Sequence, residues 1–330
     1  MNVRILTERE LRACARLDQR AVVTIAGAFA ALHRGEAVMP PVLSMDLPEL
    51  HAEVDIKTAW MRGLDSFAVK ISSGFFDNAA HGLPSLSGMM AMLDGHTGRV
   101  SATLLDNGWL TDLRTAAAGA VAARYLARAD AATAAIIGTG LQARLQLEAL
   151  TLVRPIERAI FWGRDGDKAQ ACARTCGEHL GIATEVATDA DEAARSADIA
   201  VTTTPAREPV LTAAALHPGL HITAMGSDAA DKNELDPAVL GQADLLVCDR
   251  QAQCETIGEV RSALAAGTLD TGLRLPEIGA IAAGEHPGRE HDHQVTVADL
   301  TGTGVQDTAI AALALEIAAE QGLGTTLQNA

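Results

Sequence analysis

The sequence predicts an α/β protein of two domains, one of which is a doubly wound parallel sheet. A length of 330 residues is enough for two hydrophobic cores. From residue 133 onward, short apolar runs alternate with helical patterns, which is typical of a parallel sheet with helices on both faces. Between residues 42 and 106 the apolar runs are separated by turn residues, which indicates an antiparallel or mixed sheet and an α+β first domain.

The composition is that of a globular protein, and it argues against nucleic acids and membranes as partners. A net charge of −16 at pH 7 would repel the phosphates of nucleic acids. No run of eighteen apolar residues is present, and residues 1–20 are charged throughout, so we expect neither a membrane span nor a signal peptide. Cys172 and Cys176 are one helical turn apart, but the five cysteines lack a metal-binding spacing. We therefore expect a reduced, cytoplasmic protein without bound metal.

The first domain is predicted to begin with two helices. Thr7 and Glu10 form a capping-box pattern for a short helix, and Asp18 precedes a longer helix with an apolar stripe. After the turn at Pro40-Pro41 we expect about five strands, at 42–47, 53–59, 66–71, 88–93 and 100–106. An alanine-rich helix follows at 111–126, because alanine has the highest helix propensity.

The second domain is predicted from six regularly placed strands, at 133–137, 158–162, 182–186, 199–203, 221–225 and 245–248. A last strand at 294–298 leads to a long helix at 308–320, whose connection reaches back to the first domain. The predicted first domain is therefore discontinuous, with residues 1–115 and 308–330. The parallel-sheet domain covers residues 116–307.

A glycine motif at the first of these strands predicts dinucleotide binding. Gly138-x-Gly140-x-x-Ala143 joins the strand to a helix: the first glycine permits a tight turn, the second admits a pyrophosphate, and the alanine allows close packing. The motif alone would also fit a structural turn, but the strand–helix alternation that follows favours a Rossmann nucleotide site. We expect this loop to contact the cofactor through Gly138, Thr139, Gly140, Leu141 and Gln142.

The end of the second strand bears on the choice between NAD and NADP. An acidic residue normally binds the adenosine ribose there, but this sequence has Gly163, followed by Arg164 and, one turn later, Lys168. Two cations without a carboxylate suit a 2′-phosphate, so NADP(H) is favoured over NAD(H). The alternative is that Arg164 is a solvated loop residue and that Asp165 supplies the carboxylate.

Four charged residues stand at positions where ligands often bind. Lys57 and Lys70 lie within or at the end of apolar strands, and Arg114 lies in the first turns of the alanine-rich helix. Asp228 follows a strand of the parallel sheet, at the carboxyl edge where α/β proteins bind ligands. We expect further cofactor contacts from the loops at this edge, at Thr203, Thr204, Met225, Gly226 and Ser227. Taken singly, each charged residue is better explained as an ordinary surface charge, and the four gain weight only in combination.

The sequence resembles the ornithine cyclodeaminase/mu-crystallin family over nearly its whole length. The resemblance rests on Lys70 before a glycine-containing loop, on the block Leu113-Arg-Thr-Ala-Ala-Ala118, on the Gly138 motif and on Gly226-Ser-Asp228. Within the family it is most similar to the cyclodeaminase-like proteins of ectoine-utilisation clusters, on residues 63–70, 74–78 and 298–308. It implies a homodimer formed by the first domain, and a site in the cleft between the domains.

The resemblance also implies the role of each candidate residue. Lys70 and Arg114 would hold the carboxylate of a small amino acid or imine, and Asp228 would be the acid/base at its amine. Ser85, Thr115, Gly304 and Val305 would lie near the cofactor. These roles are chemically reasonable, because a carboxylate needs cations to lose its water and hydride transfer from Cα needs a neutral amine.

The sequence departs from the family at one point that concerns the substrate. Many members have an arginine for the carboxylate just after the turn that corresponds to Pro40-Pro41, where this chain has Val42. Lys57 either replaces that arginine or faces solvent. We therefore expect an NAD(P)-dependent oxidoreductase acting on the C–N bond of a small amino acid or cyclic imine, and substrates related to ectoine are the narrower expectation. An ornithine-type cyclodeaminase and a non-catalytic NADPH-binding protein are the alternatives.

A histidine-rich segment is the remaining candidate for a ligand site. His286, His291 and His293 lie within Gly284–His293, which is dominated by proline, glycine and charged residues. The composition favours a solvated loop over a metal site.

Overall fold

The structure, a computed structural model, describes residues 2–328, excepting the side chain of Ala79. The strands are β1 (Asn2–Thr7), β2 (Ala37–Val38), β3 (Leu43–Leu47), β4 (Ala52–Met61), β5 (Ser66–Phe75), β6 (Leu86–Asp94), β7 (Val100–Leu105), β8 (Thr133–Ile137), β9 (Arg158–Trp162), β10 (Ala183–Val186), β11 (Ile199–Thr202), β12 (His221–Ala224), β13 (Leu245–Cys248), β14 (Thr296–Asp299) and β15 (Thr325–Gln328). The α-helices are α1 (Glu8–Cys14), α2 (Gln19–His33), α3 (Trp109–Leu126), α4 (Leu141–Thr151), α5 (Gly166–Leu180), α6 (Ala190–Arg195), α7 (Pro237–Gly241), α8 (Gln251–Ile257), α9 (Glu259–Ala265), α10 (Ile278–Ala282) and α11 (Gly304–Glu320).

The chain divides into two units. Unit 1 comprises residues 1–114 and 303–330, and unit 2 comprises residues 115–302. The sequence places the same divisions at 115 and 308. The prediction starts the C-terminal segment at residue 308 because it starts the last helix there. In the structure that helix, α11, begins at Gly304.

Unit 1 contains a mixed sheet of eight strands within the described residues, in the order β15-β1-β7-β6-β5-β4-β2, with β3 also paired to β4. The five predicted strands correspond to β3–β7, and the sheet also contains β1, β2 and β15, which the prediction missed. The inner face of the sheet carries buried residues such as Ala68, Met90 and Leu104, and α11 packs on α2, β4 and β5. The C-terminal helix therefore belongs to the core of the first unit, as its connection predicts.

Unit 2 is built on a parallel sheet of seven strands, in the order β10-β9-β8-β11-β12-β14-β13. Every pairing in it is parallel, which confirms the predicted doubly wound fold. Apart from the edge strand β10, which is partly exposed, the strands are buried on both faces by two apolar clusters, each closed by helices. Because both faces of these strands are buried, their sequences are continuous apolar runs.

The helices between residues 2 and 328 are too short or too polar to cross a bilayer. Segment 284–293 contains neither helix nor strand, and its His291 and His293 rings stack with centroids 5.5 Å apart.

Candidate cofactor and substrate sites

The loop between β8 and α4 has the geometry that a dinucleotide requires. Gly138 has φ +132°, and a Cβ there would lie 2.4 Å from the hydroxyl oxygen of Thr203, so only glycine fits. Gly140 is the N-cap of α4 and has no side chain to occupy the free N–H groups of the first turn. Ala143 is fully buried against the sheet. The start of α4 is thus open to an anion, and its N–H groups and dipole favour phosphate.

A cavity of about 600 Å³ adjoins this loop. It is lined by Gly138, Thr139, Gly140, Trp162, Gly163, Arg164, Asp165, Lys168 and the segment 203–210. The structure therefore brings eight of the seventeen predicted cofactor residues into one pocket. The wall formed by residues 205–210 was not predicted, since nothing in that stretch matches a nucleotide motif.

The ribose end of this pocket lacks the usual carboxylate for a steric reason. A Cβ at Gly163 would lie 2.6 Å from the Cγ2 methyl of Thr139, so an aspartate there would collide with it. Asp165 is occupied: its Oδ1 accepts a hydrogen bond from the backbone N–H of Lys168 at 3.1 Å and caps α5, while Oδ2 lies 3.6 Å from Lys168 Nζ. The bond from the Lys168 N–H holds the pKa of Asp165 below its ordinary value.

Asp228 lies in a smaller cavity of about 200 Å³, which it shares with Gln142, Thr203, Thr204, Pro205, Met225, Gly226 and Lys232. Its carboxylate is half exposed and lies 2.5 Å from Lys232 Nζ. Lys232 was not singled out from the sequence. The side chain of Ser227 is buried and donates to Glu259. The hydroxyl of Ser227 therefore does not line the cavity, and its predicted cofactor contact can only involve the backbone.

In unit 1 a cluster of charged side chains is buried beneath α11. Lys57 and Lys70 are direct partners on the antiparallel strands β4 and β5, so both project from the same face of the sheet. Lys70 Nζ lies 3.1 and 3.0 Å from the two carboxylate oxygens of Asp307 on α11, and Arg114 Nε lies 3.1 Å from Asp307 Oδ1. We call Lys57, Lys70, Arg114 and Asp307 the cation cluster.

Each member of the cation cluster is buried. Lys57 is 7% exposed, Lys70 2%, Arg114 7% and Asp307 0%. The alternative of a solvent-facing Lys57 is therefore wrong. Lys70 and Arg114 contact Asp307 directly, Lys57 pairs with Lys70 across the strands, and the buried Asp106 also interacts with Lys70. Buried cations in this arrangement can donate hydrogen bonds to an anionic ligand.

The pKa values in the cation cluster reflect this crowding. Burial lowers the pKa of Lys70 to about 8, with Arg114 and Lys57 contributing, while Asp307 opposes the shift. Burial alone would raise the pKa of Asp307, but Lys70, Arg114 and Lys57 together hold it below its ordinary value. Lys70 therefore keeps most of its charge at neutral pH, and Asp307 is ionised beside it.

The remaining predicted cofactor residues lie in different places. Ser85 carries a carbonyl that accepts from the N–H of Phe75, and Val305 is buried in α11. A Cβ on Gly304 would lie 2.4 Å from the carbonyl oxygen of Thr58, so this glycine lets α11 begin directly against β4. Ser85, Gly304 and Val305 belong to unit 1, whereas Thr115 is the first residue of unit 2.

Asp307 is the member of the cation cluster that the sequence prediction did not name. Thr303 and Gln306 form a capping box, and this pattern of threonine followed three residues later by glutamine is readable in the sequence. It would have started α11 at Gly304 and placed Asp307 in the first turn of a buried helix. A carboxylate at such a position requires a partner, and buried lysines supply it.

Comparison with known proteins agrees with this description. The model of the ornithine cyclodeaminase/mu-crystallin family matches residues 2–322. A Rhizobium meliloti protein that carries the name of a dehydrogenase is 53% identical, and a Sinorhizobium fredii protein that carries the name of a cyclodeaminase is 51% identical, each over 99% of both chains. The chain therefore belongs to the ornithine cyclodeaminase/mu-crystallin family, which confirms the resemblance seen in the sequence.

Solved structures show the same fold over the whole chain. An archaeal alanine dehydrogenase dimer with bound NAD is 32% identical, with a TM-score of 0.92 and 99% of each chain covered. The Δ1-pyrroline-2-carboxylate reductase of Thermococcus litoralis, solved with NADH and L-proline, is 30% identical with a TM-score of 0.93, covering 98% of this chain and 99% of that one. A lysine cyclodeaminase is 31% identical with a TM-score of 0.88, covering 100% and 96%. These relatives confirm the prediction of an enzyme of this family.

Proposed function

We propose that this chain is an NAD(P)-dependent oxidoreductase that interconverts a small α-imino acid and the corresponding amino acid. The observation that carries the proposal is the cation cluster, in which the buried Lys70 and Arg114 both contact Asp307 and the buried Lys57 pairs with Lys70 across the strands. A substrate carboxylate would accept hydrogen bonds from these cations. The dinucleotide pocket of unit 2 and the relatives that bind NAD or NADH support the redox part.

The residues of the chain divide the work of this reaction. Lys70, Arg114 and Lys57 bind the carboxylate, which fixes the substrate and replaces the water that it loses. Asp307 keeps Lys70 and Arg114 oriented before the substrate arrives. Asp228 holds or donates the proton at the substrate nitrogen, which must be neutral for hydride to leave Cα. The nicotinamide, when bound, supplies or accepts the hydride.

The preferred cofactor in this proposal is NADP(H). Arg164 and Lys168 line the ribose end of the pocket, Gly163 leaves no room for a carboxylate, and Asp165 is occupied as a helix cap. The solved relatives contain NAD or NADH, so a preference for NADP(H) would distinguish this chain from them.

A cyclodeaminase is the second candidate, since the lysine cyclodeaminase matches the whole chain and its structure concerns recognition of lysine, ornithine and 2,4-diaminobutyric acid. The two reactions have different requirements. A cyclodeaminase must also expel ammonia after a second amine attacks the imine, and it regenerates its cofactor. Val42, where many members have an arginine, favours the reductase. A diamine related to ectoine, such as diaminobutyrate, is the substrate that separates the two.

The experiment is a spectrophotometric panel read at 340 nm. NADPH and NADH are each mixed with Δ1-pyrroline-2-carboxylate and with pyruvate plus ammonia. NADP+ and NAD+ are each mixed with 2,4-diaminobutyrate or ornithine, while ammonia is measured separately. Net oxidation of NADPH by an imine supports the reductase, whereas ammonia release without net cofactor change would replace it by the cyclodeaminase. Asp228→Asn should lose at least a hundredfold in kcat. Full turnover in that variant would overturn the role of Asp228, and no turnover in any arm would favour a non-catalytic binding protein.

We also propose that unit 1 forms a homodimer through the outer face of its sheet. Lys70 and Leu104 are buried on the inner face, so their neighbours Ile71 and Leu105 project outward, and both are exposed. An exposed apolar face of this kind marks an interaction surface. The alanine dehydrogenase relative is a dimer. Sedimentation equilibrium should give twice the chain mass, and a monomer at micromolar concentration would refute the dimer.

A further inference from the structure

Glu234 is a buried carboxylate that none of the motifs predicted. It is fully buried and lies in the loop between β12 and α7. Oε1 accepts a hydrogen bond from the backbone N–H of Thr204 at 2.5 Å, and Oε2 accepts from the backbone N–H of Gly226 at 2.7 Å and from the Thr202 hydroxyl at 2.7 Å. The carboxylate thus joins two chain segments, Thr202 to Thr204 on one side and Gly226 on the other.

The two segments that Glu234 connects are the walls of the cofactor cavities. Thr204 follows β11 and lines both the larger cavity and the cavity of Asp228, and Gly226 follows β12 and lines the latter. The fit is tight at Gly226, where a Cβ would lie 2.5 Å from the Glu234 carboxylate and 2.2 Å from the Thr204 carbonyl oxygen. The carboxylate therefore sets the distance between two loops that the proposed cofactor must contact.

A second buried carboxylate holds Glu234 in place. Glu259 accepts hydrogen bonds from the backbone N–H groups of Glu234 at 2.8 Å and Leu235 at 3.0 Å, and from the Ser227 hydroxyl. Glu259 therefore holds the backbone of Glu234, and the side chain of Glu234 in turn holds the loops at Thr204 and Gly226. This arrangement explains why Ser227 faces the interior.

We infer that Glu234 is a positioning residue for cofactor binding, whose carboxylate holds the Thr204 and Gly226 loops at the spacing that the dinucleotide requires. The inference rests on the proposed function, because it assumes that these cavities hold NAD(P). Glu234 itself does not line either cavity. Its effect on the ligand is exerted through the backbone N–H groups that it binds.

Protonation of Glu234 should loosen this connection. A neutral carboxyl keeps one accepting oxygen and gains one O–H donor, which would face an N–H group and leave it without a partner. Burial, with a contribution from Glu259, raises the pKa of Glu234 to about 7. The charged and titratable groups on the surrounding elements are Glu259 and Arg261 on α9, Asp299 on β14, Arg207 after β11, and Asp228, Asp231 and Lys232 in its own loop. Cofactor affinity should therefore rise as the pH rises through about 7.

The experiment measures the Kd of NADH by its fluorescence, excited through Trp162, which lines the larger cavity. NADH lacks the 2′-phosphate, which would itself titrate near this pH. We expect wild-type Kd to fall about tenfold between pH 6 and pH 8.5. Glu234→Gln mimics the neutral carboxyl, so its Kd should stay near the wild-type value at pH 6 throughout. Asp198→Asn is the matched control, because Asp198 also binds two backbone N–H groups, of Ala132 and Thr133, but at the amino end of β8.

Each outcome has a separate meaning. If Glu234→Gln retains the wild-type affinity and pH curve, or if Asp198→Asn flattens that curve equally, the positioning role is refuted. A lower Tm for Glu234→Gln with unchanged Kd would also refute it, since that result describes a structural residue only. If the wild-type protein binds neither NADH nor NADPH, the proposed function fails before the variants are compared.

Discussion

Asp307→Asn removes the resident carboxylate of the cation cluster while keeping the size of the side chain. Asp307 lies 3.0 Å from Lys70 Nζ and 3.1 Å from Arg114 Nε. Two unit charges 3.0 Å apart attract by about 5 to 6 kcal/mol at an effective dielectric constant of about 20. Removal of one partner from a buried pair typically costs about 3–5 kcal/mol, because the remaining charge stays buried without compensation. We therefore expect the first unfolding transition to fall by roughly 10 °C or more.

The same variant should change the pH dependence of stability. The pKa of Lys70 is about 8 in the folded protein and ordinarily 10.5, so its charged form costs folding about 3 kcal/mol below pH 8. This cost disappears as the pH rises from 8 to 10.5. Without Asp307 the pKa of Lys70 falls further. The gain in stability with pH should then be larger and should begin below pH 8.

Differential scanning calorimetry between pH 6.5 and pH 10 measures both effects. Glu316→Gln is the control on the same helix, since its ion pair with Arg20 is exposed and long, at 3.4 Å, and should contribute little. A small carboxylate such as L-proline should stabilise the wild-type protein, because it supplies a further anion to the cluster. The reasoning is refuted if Asp307→Asn unfolds within 2 °C of the wild type and shows the same pH dependence.

Three further substitutions test the two sites. Gly138→Ala should abolish cofactor binding in fluorescence titrations, because its Cβ would lie 2.4 Å from Thr203 Oγ1; retention of wild-type Kd would contradict the loop geometry. Gly163→Asp is combined with Thr139→Ser, which removes the methyl group that the new Cβ would meet at 2.6 Å. The double variant should shift the ratio of kcat/KM for NADPH over NADH at least tenfold towards NADH. An unchanged ratio would argue against the NADP assignment. Lys57→Ala should raise the KM for a carboxylate substrate about tenfold with a smaller change in kcat, and an unaltered KM would exclude Lys57 from substrate binding.

The parallel sheet was the part of the fold most readily predicted. β8, β9 and β13 have the same ends in the sequence prediction and in the structure, because strands buried on both faces are continuous apolar runs with sharp limits. β1 and β15 could not be found in this way. β15 is exposed along its whole length and pairs with β1, which lies more than 300 residues away in the chain. A strand that depends on such a partner carries no local pattern of its own.

The cofactor loop and the cation cluster also differ in how far a local sequence pattern reveals them. Gly138 is constrained by the backbone around it, so a local motif reveals it. The pairing of Lys70 with Asp307 joins residues 237 positions apart, and no spacing in the sequence expresses it. A single lysine within an apolar strand marked Lys57 and Lys70 as candidate functional residues. Only the structure shows that both lie on one face of the sheet and that both act on the pKa of Asp307.

The identity of that counter-ion clarifies what the cation cluster can do. Without Asp307, three buried cations would repel one another and Lys70 would become neutral near physiological pH. With it, Asp307 opposes the lowering of the Lys70 pKa by burial, and its contacts hold both Lys70 and Arg114 in position. An ammonium and a guanidinium held side by side can both donate hydrogen bonds to one carboxylate. This arrangement is why we assign the cation cluster to the carboxylate of the substrate.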